Sequence, residues 1–311
     1  MRSSLVCAVL LVATLGCQTA SRPSLNPGTN EHWLQHATVA PRAVIAQTIE
    51  TEVVDLVATQ SPQDAKVVAN GSLVIGGGGG MPPLVIAEFL RLAGGSKSRL
   101  VIIPTASSRA DKPDNGKTVK LWQERGAGVA NLLHTRSKDE ANRASFVAIM
   151  KKATGVWIGG GSQSRIMAAY LGTKVGTELK ALLKRGGVIG GSSAGAAIMT
   201  KLMISGGRGE AKTKQGFGFL PGAVVDQHFL RRNRVNRLLD ALHRHPGLVG
   251  IGIDEGTAIV WSGDEIRTIG ESYVSVFVPQ PDGKPMRVER QGITSTHLPS
   301  GWPGRFWPTR R

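Results

Sequence analysis

Four short apolar runs, each ending in a cluster of glycine, serine or threonine, constrain the fold of this 311-residue chain more than any other feature. They are Ser72-Leu73-Val74-Ile75 before Gly76 to Gly80, Arg99 to Ile103 before Pro104 to Ser108, Gly155 to Ile158 before Gly159 to Ser164, and Gly187 to Ile189 before Gly190 to Gly195. Helical stretches separate them. Leu84, Ile86, Phe89, Leu90 and Leu92 fall at helical spacing, and Leu121 to Gly126, Ala144 to Lys152, Arg165 to Leu171 and Glu178 to Lys184 are helical in character. Gly128 to Leu133 adds a further strand. Strands alternating with helices in this way predict a mostly parallel sheet covered by helices on both faces. Ligand sites in such sheets lie beyond the carboxyl ends of the strands. The loops after Ile75, Ile103, Ile158 and Ile189 are therefore expected on one rim.

The stretch Gly191-Ser192-Ser193-Ala194-Gly195 fits G-x-S-x-G, the pattern of a nucleophile on a sharp strand-to-helix turn. Flanking glycines tolerate cramped or positive-φ geometry. Such a turn exposes the Ser193 hydroxyl and aims the Ala194 N–H at a developing oxyanion. The same five residues also suit an ordinary turn with serine as N-cap.

Further along, Val224 to Phe229 reads as a strand end delivering Asp226 and His228, followed by a helix with Val235, Leu238, Leu239 and Leu242 on its buried face. A histidine at a strand mouth is well placed to act as base for a serine, although histidines there are more often structural. Arg231, Arg232, Arg234 and Arg237 are expected largely elsewhere on that helix, with few acidic partners, which favours carboxylate recognition over a merely solvated face. Gly250 to Ala258 reads as a strand carrying Asp254 and Glu255, either of which can orient the histidine or simply cap a turn. Glu265 to Arg267 and Tyr273 to Val278 are expected as hairpin elements closing the sheet. Residues 206–218 read as a glycine-rich basic loop.

The five glycines at 76–80 do not make a dinucleotide site. Met81 stands where a third glycine belongs, no acidic residue ends a second strand at the required distance, and a Walker lysine is missing. They read instead as a loop that brings backbone close to the site.

The N-terminus is read separately. Residues 1–16 carry Arg2 and an apolar run, Leu5 to Leu15, too short to span a bilayer; they read as a signal peptide. Gly16-Cys17 resembles a bacterial lipobox, with Cys17 as the lipidated mature N-terminus and ordinary cleavage as the alternative. Export to the periplasm, or anchoring there as a lipoprotein, is the expected localisation. Residues 17–66 read as a tether, 67–295 as the catalytic domain and 296–311 as a basic aromatic tail. Both cysteines, Cys7 and Cys17, precede the domain, which excludes a disulfide or thiol nucleophile within it. The net charge of +16 points to anionic partners in general. No RNA-binding aromatic signature or zinc-finger spacing accompanies it, so nucleic acid is not expected as a partner.

Several segments together resemble the cyanophycinases, serine peptidases of family S51. These are Leu100 to Ser107, Gly160 to Gln163, Gly191 to Ala196, Leu220 to Leu238 and Gly250 to Val260, in order, within a resemblance spanning about residues 67–280. The resemblance implies a flavodoxin-like three-layer α/β sandwich of the class I glutamine amidotransferase type, with a mostly parallel sheet and an elbow serine. It implies a triad of Ser193, His228 and Glu255, and oxyanion donors at the Ala194 and Gly161 N–H groups. It implies substrate binding by Gln163, Asp226, Gln227, Arg232, Arg234 and Arg237, with the arginines holding carboxylates. No metal or organic cofactor is implied. The partners implied are a peptide polymer, cyanophycin or a β-aspartyl peptide, and a second copy of the chain in a homodimer; membrane contact is through the N-terminal lipid alone. The implied activity is hydrolysis of cyanophycin to β-Asp-Arg dipeptides. Alternatives are an exopeptidase for other β-aspartyl or acidic peptides, and an inactive surface-tethered binding lipoprotein. Two departures stand out: Ser162 where the family often has Asp, and a glycine run to Met81 where the family commonly has Gly-Gly and an acid.

Overall fold

The computed structural model describes residues 70–262, 265–280 and 284–291. The expected signal peptide with Cys17, the tether and the C-terminal tail lie outside the described residues.

The apolar runs form the centre of a seven-stranded sheet. Strands β1 (Ser72–Gly76), β2 (Arg99–Ile103), β3 (Val129–Leu132), β4 (Gly155–Ile158) and β5 (Val188–Ser192) are parallel, in the order β3-β2-β4-β5-β1. Beyond β1 the sheet continues antiparallel with β10 (Thr257–Ser262) and β11 (Glu265–Gly270). Parallel pairing puts the carboxyl ends of β1, β2, β4 and β5 on one rim, as the alternation of strands and helices predicts.

Alternate residues of each strand serve opposite faces. Val74, Leu100, Ile102 and Trp157 pack under helices α1 (Pro83–Leu92) and α2 (Lys117–Glu124), where Phe89, Trp122 and Trp157 meet with ring centroids 5.0–5.6 Å apart. Leu73, Ile75, Val101 and Ile103 face the other way, in a core with residues of α3 (Lys138–Ala141), α4 (Ala144–Lys151), α5 (Gln163–Tyr170), α6 (Lys174–Lys184) and α7 (Ala194–Ala197). The result is the flavodoxin-like three-layer sandwich. Helices α2 and α6 begin at Lys117 and Lys174, a turn earlier than apolar spacing indicates, because each first turn carries a single apolar side chain, Val119 or Val175, too few to show a period.

Three expectations are corrected. The stretch 206–218 is not a loop throughout: within it β7 (Lys212–Gln215) pairs with β6 (Leu202–Gly206) as a two-stranded hairpin. Tyr273 to Val278 does not close the large sheet. As β12 (Tyr273–Val278) it joins a second sheet of order β13-β12-β9-β8, with β8 (Ala223–Gln227), β9 (Val249–Ile253) and β13 (Met286–Gln291). Arg237 does not fall on the solvent side of helix α8 (Val235–Arg244). It lies on the buried face with Leu238, Ala241 and Leu242, while Arg231, Arg232 and Arg234 precede the helix.

Candidate active site

Strand β5 ends at Ser192, and α7 begins at Ala194. Ser193 makes the turn alone, with φ 55° and ψ −110°. A positive φ at serine costs on the order of 1–3 kcal/mol and persists only where the surroundings enforce it. The flanking glycines enforce it by permitting close approach, not by taking positive φ themselves. A Cβ on Gly195 would lie 2.8 Å from the Ile158 carbonyl carbon, and one on Gly191 2.6 Å from the Gly195 carbonyl carbon. The Ser193 N–H donates to the Gly76 carbonyl (3.0 Å), which ties the turn to the neighbouring strand end.

His228 follows β8, also at positive φ (51°). Its Nε2 lies 2.8 Å from Ser193 Oγ, and its Nδ1 lies 2.6 Å from Glu255 Oε1. With Nδ1 donating to the carboxylate, Nε2 is the acceptor for the serine proton. Burial holds the imidazole below the ordinary histidine pKa; Glu255 opposes this, and the nearby Arg232 and Arg234 charges reinforce it. The ring is thereby kept neutral, ready to receive a proton.

Glu255 and Asp254 have separate tasks. Asp254 Oδ1 accepts the Arg231 N–H (2.9 Å) and Oδ2 accepts the Ser272 hydroxyl (2.8 Å), so Asp254 clamps the turn that carries His228. Only Glu255 reaches the imidazole.

The glycine run after β1 is the frame for all three side chains. Gly77 N–H donates to Thr257 O (2.8 Å), Gly77 O accepts His228 N–H (2.6 Å) and Gly78 O accepts Gly256 N–H (3.1 Å). Gly78, at φ 110°, lies close against the imidazole. A Cβ there would stand 2.5 Å from His228 Nε2 and 2.7 Å from Nδ1. The expectation that this loop brings backbone close to the site thus has a specific form.

The loop after β4 approaches from the other side. A Cβ on Gly160 would lie 3.4 Å from Ser193 Cβ and 3.9 Å from its Oγ. The Gly161 and Ala194 N–H groups donate to no acceptor among the described residues. Two unspent amides next to a serine Oγ are the raw material of an oxyanion hole.

The six residues expected to bind substrate divide into two groups. Asp226, Gln227 and Arg237 are buried. The Arg237 guanidinium forks onto both oxygens of Asp226 (Nε to Oδ2, 2.8 Å; Nη2 to Oδ1) and its Nη1 donates to Gly207 O (2.9 Å). Burial raises the Asp226 carboxyl above its ordinary value, and the guanidiniums of Arg237 and Arg234 oppose this in part. Gln227 offers its side-chain and backbone oxygens to Arg234 Nη1 (2.6 Å for the backbone bond). These three residues support Arg234 from behind. Arg232 is exposed, and its guanidinium has no partner among the described residues. Gln163 is half-buried and donates through Nε2 to Ile204 O (2.9 Å). Sequence reasoning missed the clamp by Asp254 and the seating of His228 on Gly78; the glycine run was the signal for the second.

Comparison with known proteins gives the family. The model for Peptidase family S51 matches residues 72–269. A cyanophycinase from Geminocystis herdmanii is 34% identical over 224 residues, covering 69% of this chain and 80% of that protein. A cyanophycinase from Nostoc sp. is 35% identical over 205 residues, 63% of this chain and 68% of that protein. The crystal structure of a peptidase from an acI-B1 Actinobacterium matches the fold with a TM-score of 0.58 at 21% identity, over 75% of this chain and 98% of that one. The chain belongs to peptidase family S51 and is a serine-type peptidase.

Proposed function

We propose that this chain hydrolyses cyanophycin, a poly-aspartate whose side-chain carboxyls each carry an arginine, releasing β-Asp-Arg dipeptides. The observation that carries the reading is the hydrogen-bonded series from Ser193 Oγ through His228 to Glu255. His228 Nε2 takes the serine proton as Oγ attacks the aspartyl carbonyl. The Ala194 and Gly161 N–H groups hold the oxyanion, and Glu255 stabilises the imidazolium. His228 then protonates the leaving amine, and water hydrolyses the acyl-enzyme by the same route in reverse. Arg232 and Arg234, beside the imidazole, hold free carboxylates of the substrate, those of its arginyl groups or its terminus. Replacing Ser193 by alanine should reduce turnover by several orders of magnitude and leave the fold intact; an active Ser193→Ala protein would refute the mechanism.

A second reading keeps the chemistry and takes other β-aspartyl peptides. Gly79, Gly80 and Ser162 favour it, since they stand at positions where the resembled family commonly carries an acid and are themselves uncharged. Presenting cyanophycin and isoaspartyl peptides to the same preparation separates the two. The N-terminal apolar run and Cys17 support export with a lipid anchor, which metabolic labelling with palmitate tests directly.

A further inference from the structure

Four side chains outside the triad close a ring of polar contacts, and no step of the reaction above uses them. Thr105 Oγ1 meets His134 Nδ1 (2.9 Å), and His134 Nε2 meets Asp111 Oδ1 (2.9 Å). Asp111 Oδ2 accepts from Arg136 Nε (3.2 Å) and Nη2 (3.0 Å), and Arg136 Nη1 returns to the Thr105 carbonyl. Tyr170 OH joins at Thr105 Oγ1 (2.7 Å) and accepts the Thr135 N–H (3.1 Å). One proton arrangement satisfies every member. Tyr170 donates to Thr105, Thr105 donates to Nδ1, and Nε2–H donates to the carboxylate. Arg136 foremost, and His134 after it, hold the Asp111 carboxyl at about 2, so it remains ionised at any working pH.

What the ring holds gives its role. Beyond Ile103 the chain leaves the sheet, and residues 104–107 lie against the loop 159–162. Gly159 N–H donates to Ile103 O (3.0 Å) and Ser162 N–H to Ala106 O (2.9 Å). Gly161 has φ 136°, and a Cβ there would lie 2.6 Å from the Ala106 carbonyl carbon and 3.0 Å from Ser107 N. The loops meet backbone to backbone, so a shift at Ala106 passes to Gly161 with no flexible side chain to absorb it. Arg136 grips the carbonyls on either side of Ala106, those of Thr105 and Ser107 (Nη2 to Ser107 O, 2.7 Å). Arg165 Nη1 reaches the Ala106 carbonyl itself (3.1 Å).

We infer that Arg136, braced by Asp111 and His134, is a positioning residue for the oxyanion loop: it fixes the carbonyls of Thr105 and Ser107 and through them the direction of the Gly161 N–H. The inference rests on the reading of Ser193 as nucleophile and Gly161 as donor. The Arg136–Asp111 pair is 33% and 58% exposed, so it adds little to stability. Its contribution is directional, since one planar guanidinium meets two carbonyls and a carboxylate.

The test is the rate at which a fluorophosphonate labels Ser193, because the phosphonyl oxygen occupies the oxyanion position. The full chain is compared with Arg136→Ala, Arg136→Lys and Asp111→Asn, and thermal midpoints are measured on the same samples. Arg136→Ala is expected to label about 10²-fold more slowly, the effect of a small misplacement at distance from the chemistry, with a midpoint within a few degrees of wild type. Arg136→Lys should not restore the rate, because an ammonium cannot span the three acceptors. With peptide substrate, kcat should fall and KM stay. A folded Arg136→Ala protein labelled at the wild-type rate overturns the inference and leaves Ser193 as nucleophile. A wild-type protein that resists labelling overturns both. Should Arg136→Ala not fold, Asp111→Asn decides: several-fold slower labelling supports the inference, and an unchanged rate overturns it.

Discussion

At His228, burial and two guanidiniums work against one carboxylate. Burial is the largest influence and lowers the imidazole pKa; Arg232 and Arg234 add to it, while Glu255 raises it. The net direction is below the ordinary 6.5. Only the neutral ring can take the Ser193 proton, so activity is lost as pH falls through the lowered value. The acidic limb of kcat/KM is therefore expected below pH 6.5, and Arg232→Ala should move it upward. A limb above that value, or one indifferent to Arg232, would contradict the electrostatic account. Gly78 makes a steric prediction. A methyl group there meets the imidazole at 2.5–2.7 Å in a backbone at φ 110°. Gly78→Ala should reduce kcat by about 10²-fold or more through displacement of His228, which single-turnover kinetics would register. Ser193 and His228 stood out as candidates beside strand ends, although residue type alone left each open to a structural role. Glu255 was not separable from Asp254 by spacing, since adjacent carboxylates in a turn differ only in where their side chains point. The fold turns one to His228 and the other to Arg231 and Ser272.

Among the elements, α8 and the hairpin β6–β7 are fastened together by charge. Arg237 reaches Gly207 O, Asp240 Oδ2 accepts the Ala211 N–H (2.7 Å), and Arg244 holds both Asp240 (2.6 Å) and the Ala211 carbonyl. The first of these runs through the buried Asp226–Arg237 pair. Arg237→Ala would leave the buried Asp226 without its fork, at a cost of about 3–5 kcal/mol. Arg232→Ala, at the surface, should change stability by less than about 0.5 kcal/mol and raise KM instead. Urea denaturation of the two variants beside their kinetics distinguishes support from contact; equal stability losses would refute the division. The apolar runs 73–75, 100–103, 156–158 and 188–189 were readable as strands because all their residues are apolar. The hairpin was not, because Lys212 to Gln215 is polar and glycines surround it. The second sheet was hidden for another reason. Val249 to Ile253 and Tyr273 to Val278 look like any strands in sequence, and which neighbour a strand joins depends on packing over long separations.

For the whole molecule, the three segments that carry the hydrogen-bonded Ser193, His228 and Glu255 come from different places. Ser193 lies at the end of a strand in the large sheet, His228 at the end of one in the second sheet, and Glu255 on the turn from β9 to β10, where the chain passes between the two. The glycines at 76–78 join these segments by backbone hydrogen bonds, so the site is assembled by tertiary structure and not by any local motif. This is why G-x-S-x-G alone left Ser193 open to an ordinary turn, and why the segments 220–238 and 250–260, taken together with it, carried more weight. The net charge of +16 has no structural counterpart in the triad. The central claim is that this assembly cuts a β-aspartyl polymer through Ser193. Its most direct test is to incubate cyanophycin with wild-type protein and with Ser193→Ala, and to identify the soluble products by mass spectrometry. β-Asp-Arg from the wild type and none from the variant is the predicted result. Equal dipeptide release by the variant, or a wild type that leaves the polymer intact, would contradict it.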